Sequence, residues 1–151
     1  MSVKEYSGLK KVEYDIGDTD DDILKKCVKD IEGMCNVEGY VLPGSLVIEG
    51  RSFPVNLVGN GKMNVHVRYN CKIGVICNGE TVEVQVKRVT KGVGCLANVC
   101  VDGIDIANVI IPDDIQDVGK RANENEVVKI KVLTHSLALG WDAIRAVGKL
   151  I

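Results

Sequence analysis

The feature that most limits how this chain can fold is a long alternation of apolar and polar residues that begins at Asn64. Apolar residues occupy every odd position from Val65 to Cys77, and polar residues occupy the even positions from Asn64 to Lys72. Successive side chains of a β-strand point to opposite faces of its sheet. The pattern therefore predicts one long β-strand with a buried face and a solvated face.

Asn78-Gly79 separates this strand from a second alternating segment, in which Val82, Val84 and Val86 take even positions. Asn-Gly is a strong signal for a two-residue hairpin, because both residues tolerate positive φ. A chain that leaves one sheet and starts another would show the same change of phase. The organisation of the flanking segments favours the second interpretation, in which Asn78-Gly79 marks a boundary between domains.

The residues before this boundary predict a strand, a helix and then several short strands. Thr19 can cap the helix, and the acidic run 20–22 lies in its first turn, where carboxylates meet the positive end of the helix dipole. Apolar residues follow at helical spacing, and Gly33 is a suitable stop. Short apolar runs punctuated by glycine or proline then fill residues 39–61 and lead into the long strand.

The residues after the boundary predict about five short strands with tight turns, for example at Lys91-Gly92 and Asp102-Gly103. This spacing is typical of a small closed sheet such as an OB barrel. The predicted fold is therefore α+β followed by all-β. We assign residues 1–78 to a first domain of strand, helix and antiparallel strands, and residues 79–151 to the barrel.

Composition limits the possible functions. The chain has 46% hydrophobic but only 4% aromatic residues, so its core must consist largely of aliphatic side chains, a bias that favours strands. No apolar run is long enough to cross a bilayer, and the N-terminal residues MSVKEYSG lack a signal-peptide core. We expect an intracellular protein without membrane contact. Its six cysteines are then expected to be free thiols.

The distribution of charge is uneven, although the net charge is only −2. Between Gly61 and Cys100 there are six Lys or Arg residues against two Glu, whereas acidic residues dominate between Val101 and Glu126. This contrast suggests separate faces for separate partners, with scattered solvated charge as the alternative interpretation. The cations of greatest interest are Lys87, Arg88 and Lys91, hereafter the cationic cluster.

The cationic cluster lies at the end of the first predicted barrel strand and in the turn after it, where an OB barrel can hold single-stranded nucleic acid. Such binding usually adds aromatic side chains for base stacking, and no aromatic residue is near these positions in the sequence. An ordinary basic surface remains the alternative interpretation.

Two segments resemble metal or phosphate sites but lack essential parts of them. The run DTDDD at 18–22 lacks the Gly and Glu that a calcium loop requires, so helix capping explains it better. GNGK at 59–62 lies outside any strand–loop–helix pattern of a phosphate-binding loop. Four cysteines could hold zinc but have no CxxC spacing: Cys71, Cys77, Cys95 and Cys100. Cys71 and Cys77 lie on the apolar face of the long strand, where buried thiols are the preferred interpretation.

The two histidines, His66 and His135, have no partners at a spacing that indicates a catalytic triad. No pair of catalytic carboxylates can be distinguished among the many acidic residues. The sequence therefore predicts a protein that is not an enzyme and that needs neither a metal nor a cofactor.

The order of these segments is similar to that of the stalk subunit of multisubunit RNA polymerases, the seventh subunit of the eukaryotic enzymes and its archaeal equivalent. ILKKCVKDIEGMC resembles the helix of the family's tip domain, and GYVLPG the strand that follows. VGNGKMNVHVRYNCKIGVI resembles a glycine-containing loop and the long strand after it. NGETVEVQVKRVTKGVGCLANV, IANVIIP and NEVVKIKVLTH resemble the linker glycine and strands of the family's S1-type OB barrel.

The resemblance implies a non-catalytic subunit of a DNA-directed RNA polymerase, whose tip docks on the polymerase body while its barrel projects near the emerging RNA. The implied partners are the large polymerase subunits, a fourth-subunit-like stalk protein and nascent single-stranded RNA, bound weakly and without sequence preference. The cationic cluster would contact RNA phosphates. The family's docking loops correspond here to Gly50, Arg51, Gly59, Asn60 and Gly61.

The chain departs from the family pattern in two ways. Gly94-Cys95-Leu96 stands where the family often has an aromatic residue. The chain is also short, with a weak match over residues 136–151, as a divergent viral member would be. Such a member would act in the cytoplasm or virion rather than in the nucleus. The alternative function is a free-standing S1/OB protein that binds single-stranded RNA with salt-dependent affinity.

Overall fold

A computed structural model describes residues 1–53, 55–56, 61–113 and 123–151. The chain is mostly β, with 59% strand and 9% helix. The strands are β1 (Ser2–Asp15), β2 (Tyr40–Val41), β3 (Val47–Arg51), β4 (Val55–Asn56), β5 (Lys62–Val75), β6 (Thr81–Thr90), β7 (Gly94–Val101), β8 (Ile104–Pro112), β9 (Val127–Ser136) and β10 (Ile144–Leu150), and the helix is α1 (Asp20–Ile31).

The chain divides into two compact units. The barrel unit comprises Met1–Val3, Met34–Tyr40 and Gly74–Ile151, and the helix unit comprises Lys4–Gly33 and Val41–Ile73. The assignment of functional domains to residues 1–78 and 79–151 stays a prediction.

Helix α1 begins as the sequence predicts. The Thr19 hydroxyl accepts a hydrogen bond from the Asp22 backbone N–H at 3.3 Å, and the Asp22 carboxylate accepts one from the Thr19 N–H at 2.9 Å. This reciprocal capping box satisfies donors that the first turn leaves without helical partners. The buried residues of the helix, Ile23 and Cys27, lie one turn apart on the predicted apolar face.

Strand β5 is the centre of the sheet in which β1, β2, β3 and β4 also pair. Its predicted alternation is confirmed, since Val65 and Val67 are buried while His66 and Arg68 are exposed. The prediction for Cys77 is wrong. Cys77 is exposed because β5 ends at Val75 and the alternation ends with it.

Asn78-Gly79 is a turn, but it does not join two strands of one sheet. β5 pairs within the first sheet, whereas β6 belongs to the barrel. Gly79 has a φ of 83°, and its N–H donates to the Val132 carbonyl on β9 at 2.6 Å. The hairpin interpretation is therefore wrong for this dipeptide.

The barrel closes in the order β6-β7-β8-β10-β9, and β9 returns to β6. β8 and β10 are parallel, and the other neighbouring pairs are antiparallel. Numbered within the barrel, the order is 1-2-3-5-4, which is consistent with an OB-like barrel. β10 lies in the tail WDAIRAVGKLI, whose sequence pattern fits either a strand or a helix. The barrel core is aliphatic: Val82, Val84, Val86, Ala97, Val99, Ile106, Val109, Ile111, Ile130, Val132 and Ile144.

Candidate nucleic-acid interface

A β-bulge in β6 exposes two members of the cationic cluster. Val84 and Val86 are buried, so strict alternation would also bury residue 88. The register between β6 and β7 shifts between Val86 and Arg88, and Lys87 is the extra residue. Such a bulge changes which face the following side chains take. Lys87 and Arg88 are consequently both exposed.

Lys91 lies in the turn between β6 and β7, beside an exposed apolar residue. Lys91 is exposed, and Val93 is 70% exposed. The Val93 N–H donates to the Thr90 carbonyl at 3.0 Å, which closes the turn. All three residues of the cationic cluster are therefore exposed at one end of the β6–β7 pair.

Two rows of outward side chains cross the barrel strands beside the cationic cluster. In the first row, Arg88 lies opposite Leu96, Leu96 opposite Ile110, and Ile110 beside Val147. Leu96 and Ile110 are 43% and 54% exposed. This row gives the barrel a flat apolar patch with a guanidinium at its edge.

The second row is polar and ends at another arginine. It comprises Gln85, Asn98, Asn108 and Arg145 in cross-strand order. Asn108 and Arg145 are exposed, and Gln85 and Asn98 are half-buried. Together the two rows form what we call the outer face, which has a cation at each side and amide or apolar groups between them.

Arg145 and Trp141 are candidate site residues that the sequence analysis missed. The Arg145 guanidinium lies over the Trp141 ring, 4.2 Å from its centroid, a cation–π arrangement. Three strand spacings of roughly 4.8 Å separate Arg145 from Gln85, so Trp141 is not adjacent to the cationic cluster. The sequence alone does not identify this pair, because doing so requires knowing that β10 begins at Ile144 and pairs with β8 and β9.

Asp105 is an acidic group close to Lys87. Asp105 accepts hydrogen bonds from the Asn98 amide at 3.0 Å and the Cys100 thiol at 2.6 Å. The bond from Cys100 lowers the pKa of Asp105, and the amide bond and the charge of Lys87 act in the same direction against desolvation. The same bond raises the pKa of the Cys100 thiol. Lys87 therefore has an anion in its surroundings at neutral pH.

The predicted docking residues are only partly described. Gly59 and Asn60 lie outside the described residues. Gly61 precedes β5 with a φ of 71°, a conformation that favours glycine. Gly50 and Arg51 end β3, and the Arg51 guanidinium forms an ion pair with Asp20 at 2.8 Å.

The ion pair of Arg51 spans a cleft in the helix unit. This first cleft, of about 290 Å³, is lined by both ends of the pair together with Ile23, Leu24 and Val67. Gly50 is not required there by close packing, because a Cβ at that position would meet the Arg68 guanidinium at an ordinary 3.6 Å. Both predicted docking residues of β3 are accessible, with Arg51 already engaged.

The four cysteines considered as zinc ligands are free thiols in two environments. Cys71 and Cys95 are buried, and Cys77 and Cys100 are exposed. Burial raises the pKa of Cys71 to about 11. Within the described ranges, no three His, Cys, Asp or Glu side chains are grouped as metal ligands.

No protein-family model matches the chain, and no curated protein gives a significant match. In the part of the chain that the structure describes, no helix combines the length and the apolar character needed to span a membrane.

Proposed function

We propose that this chain is a non-catalytic RNA polymerase subunit of the stalk type, whose OB barrel contacts single-stranded RNA. The observation that supports RNA contact best is the exposure of Lys87 and Arg88 at the bulge, beside a barrel whose strand order is OB-like. In OB folds, the face of the second and third strands and the loop between the first two bind oligonucleotides. Here these are β7, β8 and the turn that contains Lys91.

The proposed contact with RNA is mainly electrostatic. Lys87, Arg88 and Lys91 would neutralise phosphates, which provides affinity without reading sequence. Leu96 and Ile110 occupy the centre of the outer face and offer flat apolar area, but no aromatic plane for a base. Three neutralised phosphates on a single strand give a slope of roughly −2 for log K against log salt.

The polymerase part of the proposal depends on the resemblance in the order of segments. Residues 1–78 would be an α+β tip, and residues 79–151 an S1-type OB barrel. The tip would dock through Gly50, Arg51 and Gly61, together with Gly59 and Asn60. Since Arg51 is paired with Asp20, a docking partner must either accept this pair as it is or offer a carboxylate that replaces Asp20.

The RNA contact is tested by changing Lys87, Arg88 and Lys91 together to Glu. Crosslinking of the transcript to this subunit should disappear while assembly with the polymerase remains intact. Unchanged crosslinking would mean that the cluster is only a solvated surface. Loss of assembly would mean that the docking and RNA surfaces have been assigned the wrong way round.

A matched pair of variants controls for the loss of charge alone. K87Q/R88Q and K129Q/K131Q each remove two exposed cations from barrel strands, and the second pair lies on β9. The proposal predicts weaker crosslinking for the first pair only. Equal losses from both would indicate a general effect of net charge.

Association with a polymerase is tested by co-purification of the full chain with the large polymerase subunits. A monomer that is absent from polymerase preparations would contradict the stalk assignment.

The second candidate function is a free-standing OB protein that binds single-stranded RNA, and the same outer face favours it. This function requires no tip domain that docks on a polymerase. Tight RNA binding by the isolated chain, with a steep salt dependence and no polymerase association, would select it over the first proposal.

A further inference from the structure

A second cleft in the helix unit is lined by basic side chains. It has a volume of about 300 Å³, and its lining residues are Leu9, Gly50, Arg51, Ser52, His66 and Arg68. Three of these six can be positively charged, and none is acidic. The neighbouring acidic residue on β3, Glu49, accepts a hydrogen bond from the Asn70 side chain.

The register between β3 and β5 determines the shape of this cleft. Gly50 lies directly opposite Arg68, and the Arg68 guanidinium lies 3.6 Å from the position that a Cβ at Gly50 would take. His66 precedes Arg68 by two residues and therefore faces the same side of β5. Both side chains are exposed.

Ser52 fixes the other end of the cleft. Its N–H donates to the His66 carbonyl at 2.9 Å, and its hydroxyl accepts from the His66 N–H at 3.0 Å. The backbone on both sides of the cleft is thus held by hydrogen bonds, while the ring of His66 is left to face outward. The backbone that carries the donors of the cleft is therefore held in place.

Two of its basic side chains make no polar contact within the described part of the chain. Among the described residues, neither the Arg68 guanidinium nor the His66 imidazole makes a hydrogen bond or an ion pair, whereas Arg51 is paired with Asp20. Arginine presents several N–H donors in a planar fork that matches phosphate oxygens, and imidazole adds a further donor.

We infer that this second cleft is a binding site for a phosphate group. Arg68 and His66 donate to the phosphate oxygens, and Arg51, whose charge is compensated by Asp20, lines the edge. Leu9, which is 74% exposed, provides an apolar wall for carbon atoms attached to the phosphate. The volume lies at the lower end of the range of small-ligand pockets, which suits one phosphate group better than an extended surface.

Inorganic tripolyphosphate is the first probe, titrated into the full chain and followed by backbone amide NMR. We expect the resonances of Gly50, Ser52 and His66 to shift together. R68Q should weaken binding about tenfold, because a charge-assisted hydrogen bond is lost. H66A should weaken it in the same direction.

K72Q is the matched control. Lys72 lies on the same exposed side of β5 as His66 and Arg68 but does not line the cleft. Its loss removes the same charge and should change affinity by less than about twofold, as expected of an isolated surface charge. Equal weakening by K72Q and R68Q would overturn the assignment, as would the absence of any shift at Gly50, Ser52 and His66.

Two further ligands test whether the cleft prefers phosphate to carboxylate, and whether the phosphate belongs to a nucleic-acid backbone. Citrate offers similar charge on carboxylates, and equally tight binding of citrate would overturn the assignment to phosphate. A short single-stranded oligonucleotide tests the nucleic-acid backbone as the source. If the oligonucleotide binds more tightly than tripolyphosphate and R68Q weakens this binding, the cleft is a site for the nucleic-acid backbone. If the oligonucleotide binds more weakly than tripolyphosphate, the cleft is a site for free phosphate compounds. The site is independent of the polymerase proposal, because these titrations need no polymerase.

Discussion

Arg145 lies over the ring of Trp141, with its guanidinium carbon 4.2 Å from the ring centroid. At an exposed site such an arrangement contributes roughly 0.5–1 kcal/mol. Arg145 is also the last member of the polar row on the outer face, beside Asn108. The pair therefore joins the segment before β10 to the surface that we propose for RNA.

Trp141 should report binding at the outer face, because it is the only tryptophan in the chain. A phosphate that draws Arg145 away from the ring changes the environment of the indole. We expect single-stranded RNA to change the tryptophan emission of the wild-type chain and to leave that of R145Q nearly constant. K149Q, on the same strand, should respond as the wild type does. An RNA-dependent change of equal size in R145Q would show that Arg145 is not involved.

The Cys100 thiol should react faster when its carboxylate partner is removed. The hydrogen bond to Asp105 is the largest cause of the raised pKa of Cys100, followed by burial and by the carboxylate charge. Replacing Asp105 by Asn removes the charge and therefore lowers the thiol pKa, so more thiolate is present at neutral pH. We expect iodoacetamide to alkylate Cys100 faster in D105N than in the wild type. The two rates should become equal at a pH high enough to ionise Cys100 in both proteins.

The exposed thiol of Cys77 and a second variant control this measurement. Cys77 should react at the same rate in the wild type and D105N. D102N removes a nearby charge from the β7–β8 turn and should leave the Cys100 rate close to that of the wild type. An unchanged Cys100 rate in D105N would mean that the thiol–carboxylate bond does not persist in solution.

Local features of the fold could be predicted from the sequence because few residues determine them. Thr19 and Asp22 form a capping box within a single turn, and the alternation of β5 depends only on which face is buried. The exposure of Cys77 could not be predicted in this way, because it depends on where β5 leaves its sheet. The strand in residues 136–151 was equally beyond local reasoning, since β10 forms by pairing with β8 and β9.

The candidate sites depend on register even more strongly. The sequence places Lys87 and Arg88 side by side, but alternation alone would turn one of them inward. Both are exposed only because β6 has a bulge against β7. The second cleft likewise depends on the register that places Gly50 opposite Arg68. Neighbouring residues in the chain carry no signal of these cross-strand relationships.

Gly94, the first residue of β7, should tolerate substitution poorly. Its φ is 139°, and an added Cβ would lie 2.1 Å from the carbonyl oxygen of Ile111. G94A therefore forces apart two paired strands as well as straining the backbone, and we expect a loss of about 3 kcal/mol or more in the free energy of unfolding. Urea denaturation measures this loss.

Gly92 provides the control for that substitution. It also has a positive φ, 79°, but an added Cβ would have no neighbour within 4 Å. Asn tolerates this left-handed conformation better than other residues with a side chain. G92N should therefore cost less than about 1 kcal/mol. Similar losses in G92N and G94A would show that strain, and not the contact with Ile111, dominates.

The capping box of α1 should make stability depend on pH between neutral and acidic conditions. Hydrogen bonds from the backbone N–H and hydroxyl of Thr19 lower the pKa of Asp22 in the folded chain. The unfolded chain has a pKa of about 3.9 for this group. The folded state therefore gains stability from the ionised carboxylate above about pH 4, and loses it as the pH falls through the lower, folded pKa.

The thermal midpoint of D22N should lie below that of the wild type at neutral pH, and the two should converge on acidification. D21N is the control, since Asp21 lies in the same first turn but accepts no capping bond among the described residues, and its midpoint at neutral pH should lie closer to that of the wild type than the midpoint of D22N does. A difference between D22N and the wild type that stays constant below pH 4 would contradict the role of the ionised carboxylate.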